Sequence, residues 1–248
     1  MKTAIGNPWS ISLFAAGVAL CGIQAHAQEL LVDGGFENDT LTYELGSFNP
    51  GDFTGWAYED QQIFPFHFGT FSVTSGTSGP YSGDPTVGPA SGSYYAMADG
   101  FGPFISALGQ TFTVAPGSHV NLSFEMFDLD HSGVPAQAMQ HVEVDILQAG
   151  DAFLTGTVLD QLYYGPPSGA GPGPNPYQNY SFDLTSLVGG GGNFEVVFAD
   201  YSFIGGLNQI GIDNVSVEAT SVPDSVSTFG ALGSAMSGLC LLRRRLWR

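Results

Sequence analysis

Residues 119–126 read HVNLSFEM, and the alternation of polar and apolar side chains in this stretch decides the fold class. Successive side chains of a β-strand point to opposite faces, so the apolar residues of the stretch share one face: Val120, Leu122, Phe124 and Met126. The same alternation recurs in VEVDIL (142–147) and NFEVVF (193–198), and no part of the central chain sustains helical periodicity. The pattern predicts an all-β domain.

Further strand candidates are separated by Gly, Pro and Asn residues, which favour turns. They are 30–36, 63–73, 93–97, 109–114, 153–159, 177–184 and 209–218. Many short strands of this kind predict a β-sandwich. Within 209–218 the apolar side switches at Asp213, which predicts a β-bulge there. The Gly/Ser/Pro-rich segment 74–92 is too long for a hairpin turn, and we expect it to be a mobile or functional loop.

Residues 1–27 predict a secretory signal peptide. Lys2 precedes an apolar run, ISLFAAGVALCGI (11–23), and the small residues Ala25 and Ala27 follow it. A positive start, an apolar centre and small residues at the end are the three parts of such a signal. We expect cleavage before Gln28 and export of the rest of the chain, with an uncleaved N-terminal anchor as the alternative.

Residues 222–248 contain a short motif, an apolar segment and a basic cluster. The motif is Val222, Pro223, Asp224 and Ser225, and the cluster includes Arg243, Arg244 and Arg245. As a helix, the apolar segment between them is about 27 Å long, which just spans a hydrocarbon core of about 30 Å. The arginines are expected to stay on the inner side of the membrane, so the body of the protein faces outwards.

This three-part end resembles the PEP-CTERM family of bacterial sorting signals, and it is most similar to the VPDSG variant, with Val226 in place of Gly. The resemblance implies recognition by an exosortase-type sorting enzyme. It also implies a transient membrane anchor, a single apolar C-terminal helix, and display at the bacterial cell surface or in the extracellular matrix. A plain C-terminal membrane anchor is the alternative.

The mature chain, from about Gln28 to Asp224, contains no Lys and no Arg. With all 23 acidic residues inside it, its formal charge is −23, against −18 for the whole chain. Such a charge excludes nucleic acid and anionic membrane surfaces as ligands. A saline habitat or bound divalent cations would relieve the repulsion between the carboxylates, and simple solubility is the alternative reason for the composition.

The sequence has no nucleophile elbow, phosphate-binding loop or HExxH motif, and its histidines are not spaced as a metal-binding set. We therefore predict a domain that is not an enzyme. Its aromatic residues could form a platform for sugar rings, although we expect Trp56 to be a packing residue. The candidates are Trp56, Tyr58, Tyr94, Tyr95, Tyr163, Tyr164, Tyr177 and Tyr180.

Several segments in order resemble the galactose-binding-like jelly rolls among carbohydrate-binding modules. They are LLVDGGFEND (30–39), Gly55-Trp56, SYYAM (93–97), GQTFTVAPGSHVNLSFEM (109–126) and IGIDNVSV (210–217). The resemblance implies a jelly-roll β-sandwich over residues 28–221. It also implies a structural Ca²⁺ held by Glu37, Asp213 and a backbone carbonyl near Gly35. The alternative is that Glu37 ends a strand in solvent and Asp213 pairs with backbone amides.

Together these features predict an exported, surface-sorted, non-catalytic domain that binds extracellular polysaccharide. A structural component of the extracellular matrix or biofilm, without a specific ligand, is the first alternative. A glycoside hydrolase or lyase is the second, because a pair of catalytic carboxylates is defined by its spacing in space and not in sequence.

Overall fold

The computed structural model describes residues 26–39, 53–62, 71–101, 104–130, 140–165, 174–202 and 207–221. This part of the chain is almost entirely β, as the alternation predicts: it contains eleven strands and one four-residue helix. All but the last two residues of the predicted signal peptide lie outside the described residues. So does the whole of the predicted sorting signal, 222–248.

The first seven strands are β1 (Ala27–Glu29), β2 (Ala57–Gln62), β3 (Phe71–Thr74), β4 (Tyr95–Phe101), β5 (Phe104–Val114), β6 (Ser118–Asp130) and β7 (Gln140–Gln148). They are followed by β8 (Val158–Gly165), β9 (Gln178–Asp183), helix α1 (Thr185–Val188), β10 (Gly192–Ser202) and β11 (Leu207–Ser221).

The strands form two antiparallel sheets. The first has the order β3-β4-β11-β6-β9, with β1 also paired to β11, and the second has the order β2-β5-β10-β7-β8. From β4 to β11, successive strands lie in opposite sheets, except that β7 and β8 are neighbours in the second sheet. The prediction of a β-sandwich is confirmed.

The core lies between the sheets, where the alternating apolar residues meet. The predicted inward faces are buried: Val120, Leu122, Phe124 and Met126 on β6, Val142, Val144 and Ile146 on β7, and Phe194, Val196 and Phe198 on β10. Trp56 is 6% exposed and packs against Phe36 and Phe198, with ring centroids 5.4 and 6.2 Å away. Its predicted packing role is confirmed.

The predicted strand 30–36 is not a strand. After β1 the chain turns, and Asp33 and Phe36 have φ angles of +52° and +57°, which lie in the left-handed region and not in the extended one. Residues 153–157 are likewise turns, and only the end of the predicted strand 153–159 belongs to β8. There, the backbone N–H of Phe153 donates to Glu59 Oε2 over 2.7 Å, so the segment is tied to β2 through a side chain.

Candidate functional site

Asp213 lies where the sequence predicts a bulge. The pairing of β11 with β6 shifts register between Asp213 and Ser216, and Asn214 has a φ angle of +52°. The Asp213 side chain is fully buried. Its Oδ2 accepts hydrogen bonds from the backbone N–H groups of Ala90 and Ser91, at 2.9 and 3.0 Å. The bulge is therefore confirmed, and it turns a carboxylate towards the segment 74–92.

Glu37 binds the chain just after this segment. Its Oε1 accepts from the backbone N–H groups of Ser93 and Tyr94, at 2.7 and 2.9 Å. A Cβ placed on Gly35 would lie 3.9 Å from both Asp213 Oδ1 and the Glu37 Cγ. The structure therefore brings Gly35, Glu37 and Asp213 together. Although the Glu37 side chain is exposed, it connects two parts of the chain and does not simply end a strand.

The surroundings of Asp213 are acidic. Burial raises the pKa of its carboxyl to about 6, against hydrogen bonds from three backbone amides that lower it, and the Glu125 carboxylate raises it further. Asn214 lies between the two acids and donates from Nδ2 to Glu125 Oε2 over 2.5 Å. The sequence places no Lys or Arg between residues 26 and 221, so no ammonium or guanidinium group of the described chain offsets these charges.

These oxygens provide some of the ligands that a hard cation needs, but not a complete set. Ca²⁺ takes six to eight oxygen ligands, including backbone and amide carbonyls, and Gly35, Glu37, Asp213 and the Asn214 amide provide such groups close together. Within the described ranges, however, no group of three or more His, Cys, Asp or Glu side chains is placed to hold a metal ion. A calcium site here would need backbone carbonyls to complete it.

A second polar cluster lies on the outer face of the second sheet. His141 of β7 is stacked between Tyr201 of β10 and Tyr164 of β8, with ring centroids 4.3 and 4.7 Å away. We call these three rings the aromatic stack. Tyr164 is 56% exposed, and β8 is the last strand on its side of the sheet. The stack therefore ends in a ring that is open to solvent.

Carboxylates lie beside the aromatic stack. His141 Nε2 is 3.2 Å from Glu143 Oε1, and Asp145 follows on the same face of β7. Burial raises the pKa of Asp145 to about 7, with a further increase from the Glu143 carboxylate. Aromatic faces together with hydrogen-bond acceptors are the groups that bind sugar rings and their hydroxyls.

The structure places only some of the predicted platform residues at the surface. Tyr164 and Tyr58 are exposed, but they lie at opposite edges of the second sheet. Tyr95 is fully buried and packs against Phe127, and Tyr180 is stacked on Phe124. A single platform containing all eight predicted residues is therefore not formed.

Sequence reasoning did not single out the other members of this cluster, His141, Tyr201, Glu143 and Asp145. A signal was present. The alternation in HVEVD (141–145) places Val142 and Val144 in the core, so the three polar residues must share the opposite face. What the sequence could not give is the pairing of β7 with β10, which brings Tyr201 opposite His141.

No family model matches the chain, and no curated protein matches it. Among solved structures, it is similar to TmCBM61 in complex with β-1,4-galactotriose, at 12% identity, covering 77% of this chain and 97% of that one, with a TM-score of 0.44. It is also similar to the K3 cleaved adhesin domain of Lys-gingipain from Porphyromonas gingivalis W83, at 14% identity, 79% and 100% coverage, and a TM-score of 0.47.

A cyclase from Fischerella sp. TAU is similar as well, at 17% identity, with 80% of this chain and 100% of that chain covered and a TM-score of 0.46. This match corrects the prediction that the domain is not an enzyme. The structures that the chain resembles include a catalytic protein, so the absence of familiar catalytic motifs does not exclude catalysis. At these identities and TM-scores, none of the three matches transfers a function.

The described part of the chain contains no helix that is both long and apolar enough to cross a membrane. The predicted C-terminal helix falls within 222–248, outside the described residues.

Proposed function

We propose that this chain is an exported, surface-displayed β-sandwich domain that binds extracellular polysaccharide through the aromatic stack. The observation that carries the proposal is the stack itself: the exposed Tyr164 ring rests on His141, which in turn rests on Tyr201. An exposed ring supported from behind is held in one orientation, so a sugar ring can stack on it without first ordering it.

The charge of the domain limits the class of glycan. The described chain has no Lys or Arg, and the Glu143 carboxylate contacts His141 of the stack. Carboxylates accept hydrogen bonds from sugar hydroxyls, but they repel uronic acids, sulfates and phosphates. We therefore expect neutral or amino-sugar polysaccharides to bind and acidic ones not to bind.

A glycan array probed with the purified protein tests the proposal. Tyr164→Ala is expected to weaken binding of a neutral glycan about tenfold, or about 1.4 kcal/mol. Tyr58→Ala is the matched control, because Tyr58 is 43% exposed on the opposite edge of the same sheet, and it should bind as the wild type does. An equal loss of glycan affinity in both variants would show that the aromatic stack is not the binding site. No binding by the folded wild type would favour a structural matrix component instead.

We also propose a structural Ca²⁺ held by Glu37, Asp213 and a carbonyl near Gly35. It rests on the resemblance, and it is supported by the closeness of these residues and by the acidic surroundings of Asp213. A bound Ca²⁺ would supply positive charge where Asp213 holds Ala90 and Ser91 and Glu37 holds Ser93 and Tyr94. Millimolar Ca²⁺ should then raise the Tm relative to EDTA, by the equivalent of about 2.7 kcal/mol at one hundred times Kd.

Variants separate this effect from general screening by calcium. Glu37→Gln and Asp213→Asn should lose most of the response to Ca²⁺. Glu218→Gln removes an exposed carboxylate on the same strand as Asp213, and it should respond as the wild type does. A wild-type Tm that is the same in EDTA and in Ca²⁺ would contradict the proposed site.

The third proposal concerns sorting, and it rests on the resemblance of residues 222–248 alone. An exosortase-type enzyme is expected to process the chain near Val222, Pro223, Asp224 and Ser225 after transient anchoring in the membrane. Deletion of residues 225–248 should release the protein into the medium, and simultaneous Arg243→Ala, Arg244→Ala and Arg245→Ala should disturb its orientation or processing. Mass spectrometry of the surface protein decides the matter, because an intact Arg248 would leave only a plain anchor.

A further inference from the structure

Asp200 and Asn208 meet in the interior of the sandwich, one from each sheet. Asp200 lies on β10 of the second sheet and Asn208 on β11 of the first. Asn208 Nδ2 donates a hydrogen bond to Asp200 Oδ1. Both side chains have no exposed surface. The contact is therefore a direct polar link between the two sheets, shielded from water.

The other polar atom of each side chain, Asp200 Oδ2 and Asn208 Oδ1, is buried and has no hydrogen-bond partner among the groups that the structure describes. Leaving a buried polar atom unpaired is unfavourable, and more so for a charged one. Both unpaired atoms are oxygens, and neither can donate while the Asp200 carboxyl is ionised. A protonated carboxyl has an O–H donor, so one proton could pair both atoms.

We propose that Asp200 is protonated in the folded protein and forms with Asn208 a neutral acid–amide pair with two hydrogen bonds, which joins the two sheets. Asn208 Nδ2 donates to Asp200 Oδ1, and the Asp200 Oδ2–H donates to Asn208 Oδ1. This arrangement leaves no charge at the contact.

The charges around Asp200 disfavour its ionised form. The nearby titratable groups are Asp128 on β6 and Asp99 on β4, both acidic. On the neighbouring strands of its own sheet, Asp200 lies opposite Val142 of β7 and Ser106 of β5. Burial, and then the two acids, raise the pKa of Asp200 to about 8, against the hydrogen bond from Asn208, which lowers it.

Asp60 on β2 adds a further acid at the edge of this region, since Ser106 Oγ donates to Asp60 Oδ1 over 2.6 Å. A bound cation could also satisfy both unpaired oxygens. In the described ranges, however, no group of three or more His, Cys, Asp or Glu side chains is arranged to hold a metal ion. A proton satisfies both unpaired oxygens without further ligands, whereas a cation would need more ligands than these two side chains provide.

The proposal predicts a defined dependence on pH. An aspartic acid in the unfolded chain has a pKa of about 3.9, whereas burial raises the pKa of Asp200 in the folded protein to about 8. Between these values the folded state holds a proton that the unfolded state has lost. The contribution of Asp200 to stability is therefore complete below about pH 4, declines as the pH rises, and is lost above about pH 8. The folding equilibrium constant falls by up to about tenfold for each pH unit in this window.

Asp200→Asn tests the proposal, because its amide places an N–H donor where the acid O–H is proposed. Urea unfolding of the purified protein is measured from pH 5 to pH 9. The folding constant of Asp200→Asn, divided by that of the wild type, should rise by up to about tenfold per pH unit until about pH 8 and then stay level. Groups common to both proteins cancel in this ratio.

Asp183→Asn is the control for net charge. It removes one carboxylate from the exposed side of β9, so it relieves general repulsion to a similar extent. The folding constant of Asp183→Asn, divided by that of the wild type, should not rise over the same pH range. A rise that is equal in both variants would assign the effect to net charge and overturn the proposal.

Two further measurements test the protonation of Asp200 independently of the stability of Asp200→Asn. The ¹³C shift of the Asp200 carboxyl, assigned in the wild type through its own Cβ and backbone resonances, should be that of a protonated acid at pH 7. The shift of an ionised carboxylate would overturn the proposal, even if Asp200→Asn does not fold. The unfolding curves are also repeated in EDTA. A loss of stability that occurs in the wild type and not in Asp200→Asn would assign a bound cation instead of a proton.

Discussion

At the scale of single residues, Gly34 shows how closely the N-terminal turn packs on β11. A Cβ at this position would lie 1.7 Å from the carbonyl oxygen of Val215. The backbone N–H of Val215 donates to the Gly34 carbonyl over 2.9 Å, so neither backbone can move away without losing this bond. Gly34→Ala should lower the free energy of unfolding by about 3 kcal/mol, the upper range for overpacking.

Urea unfolding measures this loss, and Gly190→Ala is the matched control. A Cβ on Gly190 would meet no atom within 4 Å, so the free energy of unfolding should change by less than about 0.5 kcal/mol. Similar losses in the two variants would mean that the effect comes from glycine as a residue type and not from the contact with Val215.

The candidate calcium residues could be named from the sequence, but their contacts could not. The resemblance named Gly35, Glu37 and Asp213, and the change of apolar side predicted the bulge at Asp213. The groups that both carboxylates bind are backbone amides of residues 90–94. Backbone amides carry no sequence signal, because every residue except proline has one.

At the scale of elements, the segment 74–92 is held by two separate carboxylates. Asp99 of β4 accepts from the backbone N–H groups of Tyr81 and Ser82, at 2.7 and 2.8 Å. Asp213 of β11 holds the later part of the segment. The length of this segment and its Gly, Ser and Pro content predict a mobile or functional loop. They do not predict its hydrogen bonds to Asp99 and Asp213, because these acids lie in two other strands.

Asp99→Ala should therefore loosen only the first part of this segment. We expect amide hydrogen exchange of Tyr81 and Ser82 to accelerate at least about tenfold, since their acceptor is removed and local opening becomes easier. The amides of Ala90 and Ser91, which bind Asp213, should keep their protection. Exchange measured by NMR reads each amide separately. Faster exchange at all four amides would show that the segment opens as one unit.

The strands that were predicted well are those in the middle of the sheets. Alternation placed the inward faces of β6, β7 and β10 correctly, because each of these strands packs one face on the core. In contrast, β2 (AYEDQQ) was missed: it is an edge strand with a polar sequence, and its position depends on pairing with β5 and not on its own pattern. The apolar residues of 30–36 favour a strand, but they carry no signal for the left-handed φ angles of Asp33 and Phe36 that make this segment a turn.

At the scale of the whole molecule, several buried carboxyls share the same direction of pKa shift. Burial raises the pKa values of Asp213, Asp145 and Asp200 to about 6, 7 and 8. In the unfolded chain their pKa values are about 3.9. The folded protein therefore binds more protons than the unfolded chain between about pH 4 and about pH 8, and its stability must fall as the pH rises through this window.

We expect the Tm, measured in EDTA, to be higher at pH 5 than at pH 8. Many proteins lose stability on acidification because their paired carboxylates are protonated, but here no Lys or Arg of the described chain pairs with a carboxylate. Asp145→Asn should reduce the difference between the Tm at pH 5 and the Tm at pH 8. A Tm that is lower at pH 5 than at pH 8 would show that these acids are ionised in the folded state.

The charge of the mature chain leads to a prediction about salt. With no Lys or Arg between residues 28 and 224, the acidic groups repel one another without compensation. The Debye length falls from about 10 Å at 0.1 M to about 3 Å at 1 M salt, so the repulsion between surface carboxylates is largely screened at the higher concentration. The Tm should therefore rise steadily from low salt to about 1 M NaCl.

Two controls separate screening from other effects of salt on this Tm. Sucrose at matched osmolality strengthens burial without screening charge, so it should not reproduce the full rise. A variant with Asp160→Asn and Glu218→Gln has two fewer exposed carboxylates, and it should start at a higher Tm in low salt and gain less from NaCl. If NaCl raises the Tm of the wild type and of this variant equally, repulsion between surface carboxylates does not limit the stability of the domain. The acidic composition would then not destabilise the folded state at low salt.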